Sequence, residues 1–385
     1  MSTRGQRHRD VVITGLGMVT PAGADTATVW KATCAGLPSA APDARLGGTA
    51  VDFSCAVTDF DAGLVLGTEA RRMDVFTQYA VAAAREAVAD AALGDGDWDP
   101  TRVGVLIGTG VGGLGTWLEQ SGRMLGTPPR PVNPLTGPKA IGNMAAATVA
   151  LDLGLNGPAL SLATACATGT TALGFALDLL RAGRCDVVLA GGTDAPISPL
   201  MSNAFDRLKA LSRRRDAPQS ASRPFDRDRD GFVLAEGAAV LVLELAEDVR
   251  ARGRRPFAKL LGYGESTDAH HLTSPDPEGK GAQLAPHTAV ASAKGVTGHM
   301  LGAAGAVEAA FTALSIDNGG IPPTTDFAER GTDMPGIDIV HGTARHTPVP
   351  VAVSNSFGFG GPQRGPRPRL SARYDAHSPR RATSA

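Results

Sequence analysis

Short apolar runs that stop at glycine recur along this chain, and stretches with helical periodicity alternate with them. Residues 11–17 (VVITGLG) read as a strand ending in a glycine turn, and residues 103–107 (VGVLI) as a buried strand running straight into 108–113 (GTGVGG). Further strands are predicted at 159–163, 186–190, 237–243, 258–263 and 350–353. A helix predicted over 70–93 carries Val75, Tyr79, Ala83 and Ala87 on one face. Helices alternating with such strands predict an α/β architecture with largely buried sheets. Residues 213–223, polar and charged with Ser and Pro, read as a surface loop.

The pattern also echoes itself. Residues 103–113 (VGVLIGTGVGG) and 351–361 (VAVSNSFGFGG) share a strand and glycine turn of equal length. Cys166 and His299 each precede a small-residue, apolar helix, with Gly169 and Gly302 three positions beyond them. Two related halves, each delivering a reactive group from a helix start to a shared site, account for this.

Cys166 sits in 164–169 (TACATG), where an apolar run gives way to the periodic stretch 170–181. Unpaired N–H groups and the positive end of the helix dipole stabilise a thiolate there, so the thiol pKa is expected to fall. A thiolate attacks a thioester without a separate base, which points to covalent acyl transfer. Cys34, Cys55 and Cys185 read instead as small buried hydrophobes.

With 385 residues, 43% of them hydrophobic, the chain can build a substantial core. A net charge of −1 gives no electrostatic case for nucleic acid or a membrane surface. Four cysteines without paired spacing fit a reducing compartment. No run reaches eighteen apolar residues, and residues 1–10 lack the apolar segment of a signal peptide. The expectation is a soluble, cytoplasmic protein.

Three motifs suggest other chemistry and fail on detail. Gly108, Gly110 and Gly113 spell a dinucleotide fingerprint, but the acid expected about 20 residues on is missing. Residues 226–231 (DRDRDG) start like a calcium loop, yet Gly237 stands where its final glutamate belongs and Glu236 falls one place early. His270 and His271 are adjacent and have no ligand spacing around them. Neither a metal nor a cofactor is expected.

Lys294 and His299 lie in 294–309 (KGVTGHMLGAAGAVEA), a second helix start rich in small residues. A histidine there favours its neutral form. Residues 355–361 (NSFGFGG) add an aromatic glycine loop that can gate a site and offer N–H groups. Together with 164–169, 223–232 (RPFDRDRDGF) and 268–279 (DAHHLTSPDPEG), these motifs resemble the β-ketoacyl-acyl-carrier-protein synthases, the elongating type II branch of the thiolase-like condensing enzymes. The likeness runs from residue 11 to residue 361, with several long motifs in order.

The resemblance implies a five-layered αβαβα sandwich of two duplicated halves, 10–255 and 256–361, usually a homodimer, with a basic tail at 362–385. It makes Cys166 the acyl acceptor, its N–H and that of Phe359 forming the oxyanion hole, with Phe359 also gating the acyl pocket. His299 serves the malonyl-derived enolate, supported by Lys294 and Glu308. The implied partner is acyl carrier protein, acyl- and malonyl-loaded, in fatty-acid or polyketide synthesis.

The chain also departs from that family. The family's second catalytic histidine, in a His-Gly-Thr segment, belongs between Asp268 and Lys294, and here a unit on the order of 30 residues is missing, about a strand–helix–strand. His287 stands near the junction without the Gly-Thr context. Residues 341–343 (HGT) spell the motif at the wrong place in the order. The C-terminal half is thus expected to be incomplete. Thr171 replaces a histidine and Ala235 a glycine. Past Gly361, six arginines oppose one acid, Asp375, and no strand pattern survives, so disorder is expected; a shifted reading frame is one explanation. The alternative to an active synthase is a silent family member pairing in a heterodimer with a related synthase. Retained Cys166 favours activity, and the absent histidine the alternative. Acyl chain length depends on pocket shape and is not legible in the sequence.

Overall fold

The computed structural model describes residues 9–94, 96–267, 270, 271, 273, 288–331 and 336–359, together with the backbone of 370 and 371. A mixed sheet of eight strands forms its centre. In chain order these are β1 (Val11–Val19), β2 (Val103–Gly108), β3 (Ala159–Leu160), β4 (Val187–Asp194), β5 (Gly237–Leu245), β6 (Ala258–Leu260), β7 (Val351–Ala352) and β8 (Leu370–Ser371). Across the sheet they run β7-β8-β6-β1-β5-β4-β2-β3. β5 lies antiparallel between β1 and β4, whereas β2 pairs parallel with β4 and β3.

Four helices cover the faces. α1 (Val75–Asp90) and α2 (Met144–Asp152) pack on one side, α3 (Thr168–Arg181) and α4 (Ala304–Asn318) on the other. Alternation along the strands sorts the side chains. Val187 and Leu189 of β4 and Val240 and Val242 of β5 face α1 and α2. Val188 and Ala190, with Leu241 and Leu243, face α3 and α4. Both faces are dry, which is why these strands read as unbroken apolar runs. α4 is buried on nearly all sides, from Ala304 through Ile316, as its largely apolar sequence requires.

Several boundaries differ from the sequence expectation. The helix expected from residue 70 begins at Val75, because the Asp74 carboxylate accepts the Phe76 N–H and caps a new helix; Ala70 belongs to a separate 3-10 turn. β3 is two residues long, while β4 extends to Asp194. Residues 213–223 form the expected loop apart from one short turn at Pro218–Ser220. The tail is not wholly without strand: β8 pairs with β6 and β7. An open strand edge offers N–H and C=O groups to any backbone, whatever the side chains.

The two halves are unequal. Strands β6 and β7, from residues 256–361, and β8, from the tail, extend the sheet built by the residues before them. Otherwise, among the described residues, the second half contributes only two-residue pairings, Ala289–Val290 with Asp338–Ile339 and Gly320–Ile321 with Arg345–His346.

Candidate active site

Cys166 stands in a tight turn immediately before α3. Ala165 adopts φ +50°, a left-handed conformation that costs a non-glycine residue on the order of 1–2 kcal/mol. Thr168 holds it, its Oγ1 accepting the Thr164 N–H at 2.9 Å and donating to the Ala165 carbonyl at 2.7 Å. Its own N–H and that of Phe359 lie near the sulfur and favour its thiolate. Residues 355–359 lie flush against this turn: a Cβ at Gly358 would stand 2.7 Å from the Thr164 oxygen. The Thr170 and Ser356 hydroxyls bond at 2.7 Å and tie that loop to α3.

Burial pushes the Cys166 thiol up to about 11, against the pull of Lys294 and the two N–H groups, and the Asp194 charge raises it further. This corrects the expected fall. A helix start favours the thiolate, but withdrawing the sulfur from water outweighs it. At rest Cys166 is a neutral thiol. Cys55 and Cys185 are buried as expected, whereas Cys34 is as partly accessible as Cys166 and lacks its donors.

His299 precedes α4. Its N–H donates to Val233 at 2.8 Å and its carbonyl accepts from Ala235 at 3.1 Å, fixing the backbone. The ring stacks edge-on against Phe232 at 5.0 Å, and Nδ1 is sealed without a hydrogen-bond partner among the described residues. Burial, reinforced by the Lys294 charge, holds the imidazole pKa down at about 3, so it is neutral at physiological pH. Lys294 pairs with Glu308 of α4, and its charge reaches both the sulfur and the imidazole. A row of rings, Phe359 to Phe205 at 6.2 Å, Phe205 to Phe232 at 5.3 Å and Phe232 to His299, joins the outer loop to the half-buried histidine. Phe359 is 41% exposed at the outer end of that row.

Two glycines let α3 and α4 meet. A Cβ at Gly169 would lie 2.5 Å from the Ala306 nitrogen, and one at Gly305 would lie 2.3 Å from the Thr170 hydroxyl. Helices crossing this closely bring their N-terminal turns, with Cys166 and His299, to one side of the sheet.

Residues 8–249 match the family described as β-ketoacyl synthase, N-terminal domain, and residues 283–328 match the corresponding C-terminal domain. The chain belongs to the β-ketoacyl synthase family. The 3-oxoacyl-[acyl-carrier-protein] synthase 2 of Coxiella burnetii is 38% identical, over 92% of this chain and 96% of that protein. The same-named protein of Vibrio harveyi matches to the same extent. An alignment of 403 positions that spans 92% of a 385-residue synthase leaves positions of the relative without counterpart here, in keeping with the internal gap. The solved ishigamide ketosynthase/chain length factor superposes with a TM-score of 0.86 at 29% identity, over 95% of this chain and all of that one. The AntDE ketosynthase bound to the hexaketide, in complex with the type II polyketide acyl-carrier protein AntF, gives 0.85 at 28%, with the same coverage. The fold is thiolase-like.

The motifs suggesting other chemistry are structural in this synthase. A Cβ at Gly108 would meet Thr168 at 2.2 Å, one at Gly110 the Asp194 carboxylate at 2.9 Å, and one at Gly113 Ala140 at 2.5 Å. These glycines serve close packing and leave no phosphate cradle. The Asp226 carboxylate accepts the N–H groups of Asp228, Ala328 and Glu329 at 2.8–3.2 Å, tying two loops together. His341 packs its ring on Phe327 at 5.0 Å, and His271 accepts the Thr273 N–H. Asp268 and His287 lie outside the described residues. Among the described residues no cluster of three potential metal ligands occurs, and no helix is long and apolar enough to cross a membrane.

Sequence reading missed Asp194, at the end of β4, and the rings of Phe205 and Phe232. An acid ending a strand otherwise apolar on both faces was the available signal for Asp194. Nothing local marks the two phenylalanines. The Thr171 hydroxyl, at the position of the family's histidine, bonds that of Thr164 at 2.8 Å.

Proposed function

We propose that this β-ketoacyl synthase transfers an acyl group from acyl carrier protein to Cys166 and condenses it with a malonyl unit on a second carrier, in fatty-acid or polyketide assembly. The observation that carries the reading is the packing of the 355–359 loop on the Cys166 turn, Gly358 against the Thr164 oxygen, with the N–H groups of Cys166 and Phe359 beside the sulfur. The Cys166 sulfur attacks the acyl thioester, and the developing oxyanion takes those two hydrogen bonds. The carrier thiol departs with the proton that Cys166 gives up, so the exchange is neutral overall. A malonyl thioester then loses CO2, and His299, neutral and half-buried, stabilises the enolate oxygen. The carbanion attacks the Cys166 thioester, the β-ketoacyl carrier leaves, and the expelled Cys166 thiolate takes a proton from solvent to return to the resting thiol. Lys294, paired with Glu308, supplies positive charge to both steps, and Phe359 gates the entrance.

With the family's second histidine missing, loading is expected to proceed and condensation to be slow. Loading needs the sulfur and the two N–H groups, whereas decarboxylation needs donors against growing charge. The protein acts in the cytosol, as a homodimer built on the 10–255 and 256–361 halves. Intact-mass measurement after exposure to acyl carrier thioesters tests this. An acyl adduct on Cys166, absent from Cys166→Ala, is expected, with condensation lagging far behind loading. No adduct, or one that survives Cys166→Ala, refutes the nucleophile. Condensation as fast as loading shows that another residue has replaced the missing histidine.

A further inference from the structure

Asp194 ends β4 fully buried, and no cation pairs with it among the described residues. Four donors hold it instead. Oδ1 accepts from the Thr109 hydroxyl at 2.6 Å and the Val111 N–H at 3.1 Å; Oδ2 accepts from the N–H groups of Gly110 at 2.8 Å and Gly302 at 2.7 Å. Gly302 belongs to the turn that carries the chain from His299 into α4. The same turn rests on β4 directly, since a Cβ at Gly192 would stand 2.3 Å from the Gly302 oxygen. Every group facing the carboxylate is a donor, so only an acceptor-only side chain satisfies them all.

We propose that Asp194 is a positioning residue for the decarboxylation step: by fixing the Gly302 amide and the 109–111 loop to the end of β4, it sets where the His299 imidazole stands. The proposal rests on the condensing function given above. His299 has no side-chain partner of its own at Nδ1, so its ring is oriented by its backbone and by Phe232. The backbone is pinned on one side by Val233 and Ala235 and on the other by Asp194 through Gly302. An asparagine keeps the volume but turns an N–H2 toward one pair of donors, which pushes the turn away.

The test uses the full chain, comparing the parent with Asp194→Asn and with Thr109→Val, which removes one donor and leaves the carboxylate. Acyl loading of Cys166 is followed by intact mass and malonyl-carrier decarboxylation by CO2 release. Exchange of the Gly302 amide is followed by mass spectrometry or NMR. In Asp194→Asn the kcat for decarboxylation is expected to fall about ten- to hundredfold, the scale of a small misplacement. KM for malonyl carrier protein should stay within about twofold and loading within a few-fold, while Gly302 exchange accelerates. Thr109→Val should show the same pattern more weakly. Parental decarboxylation in Asp194→Asn overturns the proposal, as does a loss shared equally by loading, decarboxylation and folded protein. If the parent itself neither loads nor decarboxylates, the functional reading has failed, and Gly302 exchange decides alone: faster in Asp194→Asn supports the anchor, and unchanged refutes it.

Discussion

Gly169→Ala adds a single methyl where the Cys166 helix meets the His299 helix. The new Cβ would stand 2.5 Å from the Ala306 nitrogen and 2.9 Å from the Ala306 Cβ. Ordinary contact begins near 3.5 Å, so α3 and α4 must part by about 1 Å. The obstacle is backbone, which cannot rotate aside as a long side chain can. Overpacking a dense interior costs about 1–3 kcal/mol, and replacing a helical glycine by alanine returns up to about 1 kcal/mol. The net is a loss of about 1–2 kcal/mol, a fall of a few degrees in Tm. A displacement of about 1 Å between reacting groups can cost on the order of a hundredfold in rate. Gly122 provides the control, because it lies in the helix Leu114–Leu125 with nothing within 4 Å of its would-be Cβ. Gly122→Ala should raise Tm slightly and leave rates unchanged. Thermal melts of both variants, with acyl loading of Cys166 and decarboxylation of malonyl carrier protein, make the comparison. If Gly169→Ala is stabilised like Gly122→Ala and keeps its rates, the close crossing does not set the geometry of the site.

Iodoacetamide alkylation of Cys166 should accelerate roughly tenfold per pH unit from neutrality toward pH 11, as the raised thiol ionises, with Cys55 and Cys185 protected; Lys294→Met should move that profile to higher pH. A rate already flat at pH 8 would falsify the neutral resting thiol. His299 in the folded chain refuses a proton down to about pH 3, whereas the unfolded chain binds one below about 6.5. Its contribution to stability is therefore present above about pH 6.5 and is lost as pH falls from there toward 3. Urea midpoints should drop across that window in the parent and drop less in His299→Gln; equal slopes would mean that the imidazole is not held in its neutral form.

Much of this architecture is legible without coordinates because its causes are local. Strands buried on both faces must be apolar at almost every position, so β2, β4 and β5 announce themselves as runs. A helix buried over most of its surface must be largely apolar, as α4 is apart from Glu308 and its C-terminal end. An internal gap is expected from the sequence because whole motifs survive on either side of residues 279–294. Asp74 shows where local reading stops: periodicity continues through it, but its side chain starts a new helix at Val75.

By itself the sequence determined the α/β class, the helix-start setting of Cys166 and His299 and the membership those motifs imply, because spacing and residue type are properties of the chain alone. Tertiary structure decided how those residues behave. Whether Cys166 rests as thiol or thiolate depends on how much water surrounds the sulfur, and burial reversed the expectation drawn from the helix start. Asp194 reads as one acid at a strand end until folding brings Thr109, Gly110, Val111 and Gly302 around it from segments 83 to 108 residues away. Such convergence has no local signature, because it is the packing of β4 against the start of α4 that creates it.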